Sequence, residues 1–108
     1  NYQYAVLEID SDTAPLSRDE LLAVLGAENV AARRYFYPGC HRLEPYATLF
    51  PGVGLTLPET ERLASRVLIL PTGLATAIGD AAGVCELVRR AFASASRVRQ
   101  HLALPMAN

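Results

Sequence analysis

The sequence contains no lysine. All ten of its basic residues are arginine, so no side-chain amine is present to act as a nucleophile or to form a Schiff base with a carbonyl group. Charge of either sign is sparse: 19% of the residues are charged and the net charge is −1. That leaves no basic field for a phosphate backbone, and nucleic-acid binding is disfavoured. Long apolar runs are also missing. The longest, around Val67 to Leu70 and in the C-terminal third, fall far short of the roughly 20 residues that span a bilayer, and no leader of the secretory kind precedes them. The expectation is a soluble, cytoplasmic chain with no membrane partner.

Cysteine is scarce too. Cys40 and Cys85 allow one bridge at most, and small secreted domains that depend on disulfides carry more, so both are expected as free thiols. Adjacent Cys40 and His41 lack the spacing of a zinc site, with Cys85 assigned to the buried stripe of a helix and His101 far along the chain. Neighbours in sequence seldom aim their side chains at each other, which also argues against a Cys40–His41 nucleophile and base. Ser94-Ala95-Ser96 has no nucleophile-elbow context, and Gly52, Gly54, Gly73, Gly79 and Gly83 form neither a Walker loop nor a dinucleotide fingerprint. No metal site and no catalytic residue are expected.

What is present is a 108-residue chain that is 51% hydrophobic, one domain by length. A domain of this size buries roughly two-thirds of its surface, so part of this apolar content is left to face a partner. Residues 2–9 alternate as a strand. Ser17 and Glu20 form a capping box for a helix carrying Leu21, Leu22 and Leu25, with Gly26 as its terminator. A second strand is read over 30–37, stopped by Pro38-Gly39. A helical turn is read between Glu44 and Phe50, then a helix from Pro58 that yields to a third strand at 67–70. From a cap at Thr76, Ala81, Val84, Cys85, Val88, Ala91 and Phe92 mark the inner stripe of a last helix. The expected fold is α+β: a small three-stranded, mostly antiparallel sheet with helices on one face. Residues 1–93 make up the domain, and 94–108 form a C-terminal tail open to helix, with Pro105 against it.

The densest chemistry lies at 33–46, where fourteen positions hold three arginines (Arg33, Arg34, Arg42), three tyrosines (Tyr35, Tyr37, Tyr46), Phe36, Cys40 and His41. Guanidinium forks suit phosphate and carboxylate, phenols and imidazole suit sugar hydroxyls, and flat rings suit stacking. The run reads as a ligand edge. From residue types alone the plainer reading comes first: a strand and turn with a solvated arginine pair and tyrosines packed at a domain boundary.

Three segments in this order, Asn1-Tyr2-Gln3-Tyr4, the run at 33–46, and Leu57-Pro58-Glu59-Thr60-Glu61-Arg62-Leu63-Ala64 leading to Val67-Leu68-Ile69-Leu70-Pro71, resemble the C-terminal small domain of the DegT/DnrJ/EryC1/StrS family of sugar aminotransferases. The resemblance spans about residues 1–93. It implies a fold type I aminotransferase that uses pyridoxal phosphate (PLP), in which this small domain packs on a large PLP-binding domain of the same chain. It also implies a homodimer and a nucleotide-linked keto-deoxysugar as substrate. On that likeness Tyr35, Phe36, Tyr37 and His41, with Arg34 next, are the substrate-binding candidates, with a role in shaping and orienting. The family's chemistry runs through a lysine Schiff base, and this sequence has no lysine. The expectation is therefore a fragment, inactive alone. A related PLP- or PMP-dependent sugar dehydratase would share the same small domain. A free-standing ferredoxin-like module binding a small anion, or an interaction domain with no ligand, are the readings from other classes.

Overall fold

The computed structural model describes residues 3–73 and 76–103. Its three strands are β1 (Ala5–Glu8), β2 (Arg33–Arg34) and β3 (Val67–Leu70), with β3 in the middle and antiparallel to both neighbours. The helices are α1 (Arg18–Ala27), a single turn α2 (Tyr46–Leu49), α3 (Pro58–Arg66), α4 (Ile78–Ala93) and α5 (Ala95–Ala103). The α+β reading and the three antiparallel strands agree with the sequence.

The central strand is aliphatic because it is paired along both edges and its middle residues are buried. Leu68 is fully buried and Ile69 nearly so. Paired residues of neighbouring strands share a face. Leu7, opposite Leu68, therefore joins Leu68 on the side where α1, α4 and α5 pack, and the buried cluster there is Ile9, Leu16, Leu21, Leu25, Leu68 and Ala91. Arg34, also opposite Leu68, shares this side, whereas Val6, Ile69 and Arg33 occupy the other. Helices thus cover one face, and the opposite face leaves Tyr4 and Val6 half exposed.

Local chemistry explains the helix ends. The Ser17 hydroxyl accepts from the Glu20 backbone N–H, and the Glu20 carboxylate accepts from the Ser17 N–H at 2.7 Å, a complete capping box. Gly26 does not end α1, contrary to the sequence reading. The helix runs one residue further, and Asn29 takes the left-handed conformation, φ 59°. The Val30 N–H then reaches the Leu25 carbonyl at 2.8 Å and the Asn29 N–H reaches Gly26 at 3.1 Å, a Schellman motif built on asparagine. Pro58 occupies the first turn of α3 as expected, where its missing N–H costs nothing.

Four further expectations need correction. The first strand is shorter than 2–9, and positions 1 and 2 lie outside the described residues. The second strand is two residues rather than 30–37, because Phe36 has a positive φ of 47° that turns the chain out of the sheet. Thr76 does not cap α4; Ala77 is the cap position, and the Asp80 carboxylate accepts its backbone N–H at 2.8 Å. Cys85 is exposed rather than buried, because the stripe of α4 that packs on the core runs through Val84, Leu87, Val88 and Ala91, and Cys85 lies beside it. The tail is helical over α5, tied back to α1 by Arg99, which donates to the Glu20 carboxylate at 2.9 Å and to the Pro15 carbonyl at 2.7 Å. Pro105 lies outside the described residues.

Candidate functional site

The arginine- and tyrosine-rich run leaves the sheet at Arg34 and splits into two clusters. In the first, Asp19 in the opening turn of α1 accepts from Arg18 Nε at 2.7 Å and from Arg34 Nε at 2.9 Å. The two guanidinium carbons lie 5.1 Å and 4.9 Å from the centroid of the Tyr37 ring. Both are within cation–π range of its negative face. Arg18 is buried, and its other arm donates to the carbonyls of Ala64 at 2.9 Å and Val67 at 3.1 Å, so the base of the cluster is fixed to the junction of α3 and β3. Partial burial works to raise the Asp19 carboxyl, but hydrogen bonds and charge from Arg34 and Arg18 outweigh it and hold the group below its ordinary value.

Tyr35 and Phe36 pack beside this cluster with ring centroids 4.2 Å apart and planes tilted by 42°, and Tyr4 meets Tyr35 at 5.6 Å. The positive φ at Phe36 leaves its ring 73% exposed, and Tyr37 is 51% exposed. Aromatic surface of this kind, edged by guanidinium groups, can stack on a flat ring and hydrogen-bond to hydroxyl or phosphate oxygens.

The second cluster lies further along. After Gly39 the chain makes a 3₁₀ turn, Cys40–Arg42, that brings His41 and Arg42 onto Glu61 of α3. His41 Nε2 is 2.5 Å from Glu61 Oε1. Arg42 donates to both carboxylate oxygens, Nε to Oε1 and Nη2 to Oε2, each at 2.7 Å. This bidentate pair, with His41 as the next contributor, lowers the Glu61 carboxyl to about 2. Two glycines make room for it. A Cβ on Gly39, which has φ +100°, would come within 2.8 Å of the His41 ring, and one on Gly54 within 2.9 Å of the Glu61 carboxylate.

Of the five residues singled out from the sequence, Arg34, Tyr35, Phe36 and Tyr37 are brought together at one edge, and His41 is folded separately against α3. Sequence reasoning missed three contributors. Arg18 and Asp19 gave no signal beyond a capped helix, and Glu61 read only as an acidic residue near a positive helix end. Cys40 and Cys85 are free and exposed, and among the described residues no group of His, Cys, Asp and Glu is arranged to hold a metal ion. No helix among the described residues is long and apolar enough to cross a membrane.

A family model described as the DegT/DnrJ/EryC1/StrS aminotransferase family matches residues 1–89. The dTDP-4-amino-4,6-dideoxy-D-glucose transaminase of Shigella dysenteriae is 39% identical over 71 residues, which is 66% of this chain and 18% of that protein. The Escherichia coli protein of the same name is 35% identical over 71 residues, again 66% of this chain and 19% of that one. The crystal structure of DesI, analysed in the presence of its TDP-sugar product, superimposes with a TM-score of 0.76 at 47% identity, covering 94% of this chain and 24% of that one. The chain therefore spans 18% to 24% of the length of these relatives.

Proposed function

Because the chain belongs to the DegT/DnrJ/EryC1/StrS aminotransferase family, we propose that it is the C-terminal small domain of a PLP-dependent aminotransferase acting on a nucleotide-linked keto-deoxysugar. The substrate class follows the relatives, two named for a dTDP-4-amino-4,6-dideoxyhexose and one analysed with a TDP-sugar. The family uses PLP in general, and that cofactor forms its reactive imine with a lysine. No lysine exists among the 108 residues, so they do not fit the role of cofactor anchor. Their part is to bind and orient the sugar nucleotide beside a large domain that supplies the rest.

The observation that carries this reading is the edge formed by residues 34–37. Phe36 is largely exposed and Tyr37 half exposed, with the Tyr35 ring tilted against Phe36 and Arg34 at the margin. Such a surface suits a base and sugar better than water. His41 serves the same pocket by ordering the turn that follows. The exposed Leu43, Leu49, Phe50, Leu55 and Ile78 are surface for the large domain and for a second subunit.

The test is an assay of the full-length protein with dTDP-4-amino-4,6-dideoxy-D-glucose and a 2-oxo acid. The expected result is transfer of the sugar's amino group to the 2-oxo acid. Phe36→Ala and Tyr37→Ala should raise KM about tenfold while cofactor absorbance is retained. Failure of the full-length protein to exchange nitrogen with any dTDP-amino sugar would overturn the proposal.

A further inference from the structure

We propose that Glu61 is a positioning residue for the substrate-side segment, its carboxylate on α3 gripping His41 and Arg42 so that the preceding rings of Tyr35, Phe36 and Tyr37 are presented in a single arrangement. The inference rests on the reading of residues 34–37 as the sugar-nucleotide edge.

The need for such a grip follows from what the segment lacks. Among the described residues no hydrophobic core position falls between Leu25 and Ala64. Phe36, Tyr37, Leu43, Tyr46, Leu49 and Phe50 are each half exposed or more. A stretch with so little apolar anchoring opens at low cost unless polar contacts hold it. It has two such holds. One is the Arg18–Tyr37–Arg34 stack at its start, and the other is Glu61 beyond its turn.

The second hold is built with unusual economy of space. Glu61 receives charge-assisted bonds from Arg42 on both oxygens, a planar fork that fixes direction as well as distance. The His41 side chain is only 10% exposed. Its Nε2 is taken by Glu61, and its other nitrogen faces the bare α-carbon of Gly39, where a Cβ would lie 3.0 Å from Nδ1. Gly54 closes the opposite side, its missing Cβ leaving room for the Glu61 carboxylate. The imidazole is thus packed between Gly39 and Glu61, with a tenth of the side chain left exposed. It acts on the site through the turn it holds.

Two kinds of variant in the full-length protein separate this from a passive packing role. Glu61→Ala should raise KM for the dTDP-amino sugar about tenfold with kcat changed less than about twofold, because a displaced binding edge weakens ground state and transition state alike. Tryptic cleavage after Arg42 in the absence of substrate should accelerate by a similar factor. His41→Gln places an amide N–H near the position of Nε2 and should rescue both readings, whereas His41→Ala should behave like Glu61→Ala. Glu61→Gln keeps the volume and shifts both readings in the same direction, which covers the case of an alanine variant that does not fold. Unchanged KM and unchanged cleavage in the Glu61 variants would overturn the proposal. So would a His41→Gln as impaired as His41→Ala, since the imidazole would then be needed for something other than its bond to Glu61. If the unaltered protein turns over no nucleotide sugar, the functional reading fails, and the cleavage rates alone decide whether Glu61 is the grip.

Discussion

The guanidinium of Arg18 lies against the ring of Tyr37, 5.1 Å from its centroid, while its other arm donates to the carbonyls of Ala64 and Val67. One buried side chain thereby couples the first helix, the central strand and the segment offered to the ligand. Replacing it with methionine keeps most of the volume but strips two carbonyls of their donor and Tyr37 of its cation. The expected cost is about 2 kcal/mol in local stability, read as faster hydrogen exchange of α1 and β3 amides in the full-length protein. Lysine should not restore it, since a single ammonium cannot reproduce the fork. Exchange rates in Arg18→Met equal to the unaltered protein's would show that the contact carries no stability.

The end of α1 makes a prediction of opposite sign at two neighbouring positions. Gly26 sits within the helix, and beyond the adjoining helix backbone nothing comes within 4 Å of a Cβ built there. Gly26→Ala should stabilise the helix by about 0.5–1 kcal/mol. Asn29 holds φ 59°, so Asn29→Ala should cost about 1 kcal/mol and Asn29→Gly should be neutral or better. Hydrogen exchange of the last-turn amides of α1 measures all three. A destabilising Gly26→Ala would contradict the placement of the helix end.

Acid provides a third test. The Glu61 carboxyl falls from 4.5 to about 2 in the folded protein, with Arg42 the larger cause and His41 the next. A group held lower in the folded state than in the unfolded one contributes its full stabilisation above the unfolded value and loses it as pH falls through the folded value. The grip on residues 39–42 should therefore be intact at pH 5 and weaken progressively between about 4.5 and about 2. Carbon-detected titration of the Glu61 side chain should give a midpoint near 2, and Arg42→Ala should move it up towards 4.5. A midpoint already near 4.5 in the unaltered protein would remove the bidentate pair from the solution structure.

Much of the architecture was legible because it rests on local or periodic signals. The Ser17 and Glu20 box, Pro58 at a helix start and the aliphatic 67–70 strand each follow from what neighbouring residues do to one another. The misreadings came where a local rule had competitors. Gly26 fitted a helix stop by composition, yet Asn29 supplied the left-handed residue and Gly26 stayed helical. The run at 30–37 has strand propensity throughout, but the backbone at Phe36 leaves the sheet after two paired residues. Cys85 fits a helical period, but the stripe that packs on the core runs through Val84 and Leu87 and leaves Cys85 beside it.

By itself, the sequence determined that this chain cannot anchor PLP through an imine, since that is a matter of which atoms exist, and it marked residues 33–46 as the chemically dense segment because residue types cluster there in one dimension. Only the tertiary structure decided that this segment is held by Glu61 from behind and by Arg18 from below. Those partners lie 20 and 19 positions from His41 and Tyr37, and a contact between residues that far apart is set by how helices and sheet pack. No spacing rule along the chain encodes it.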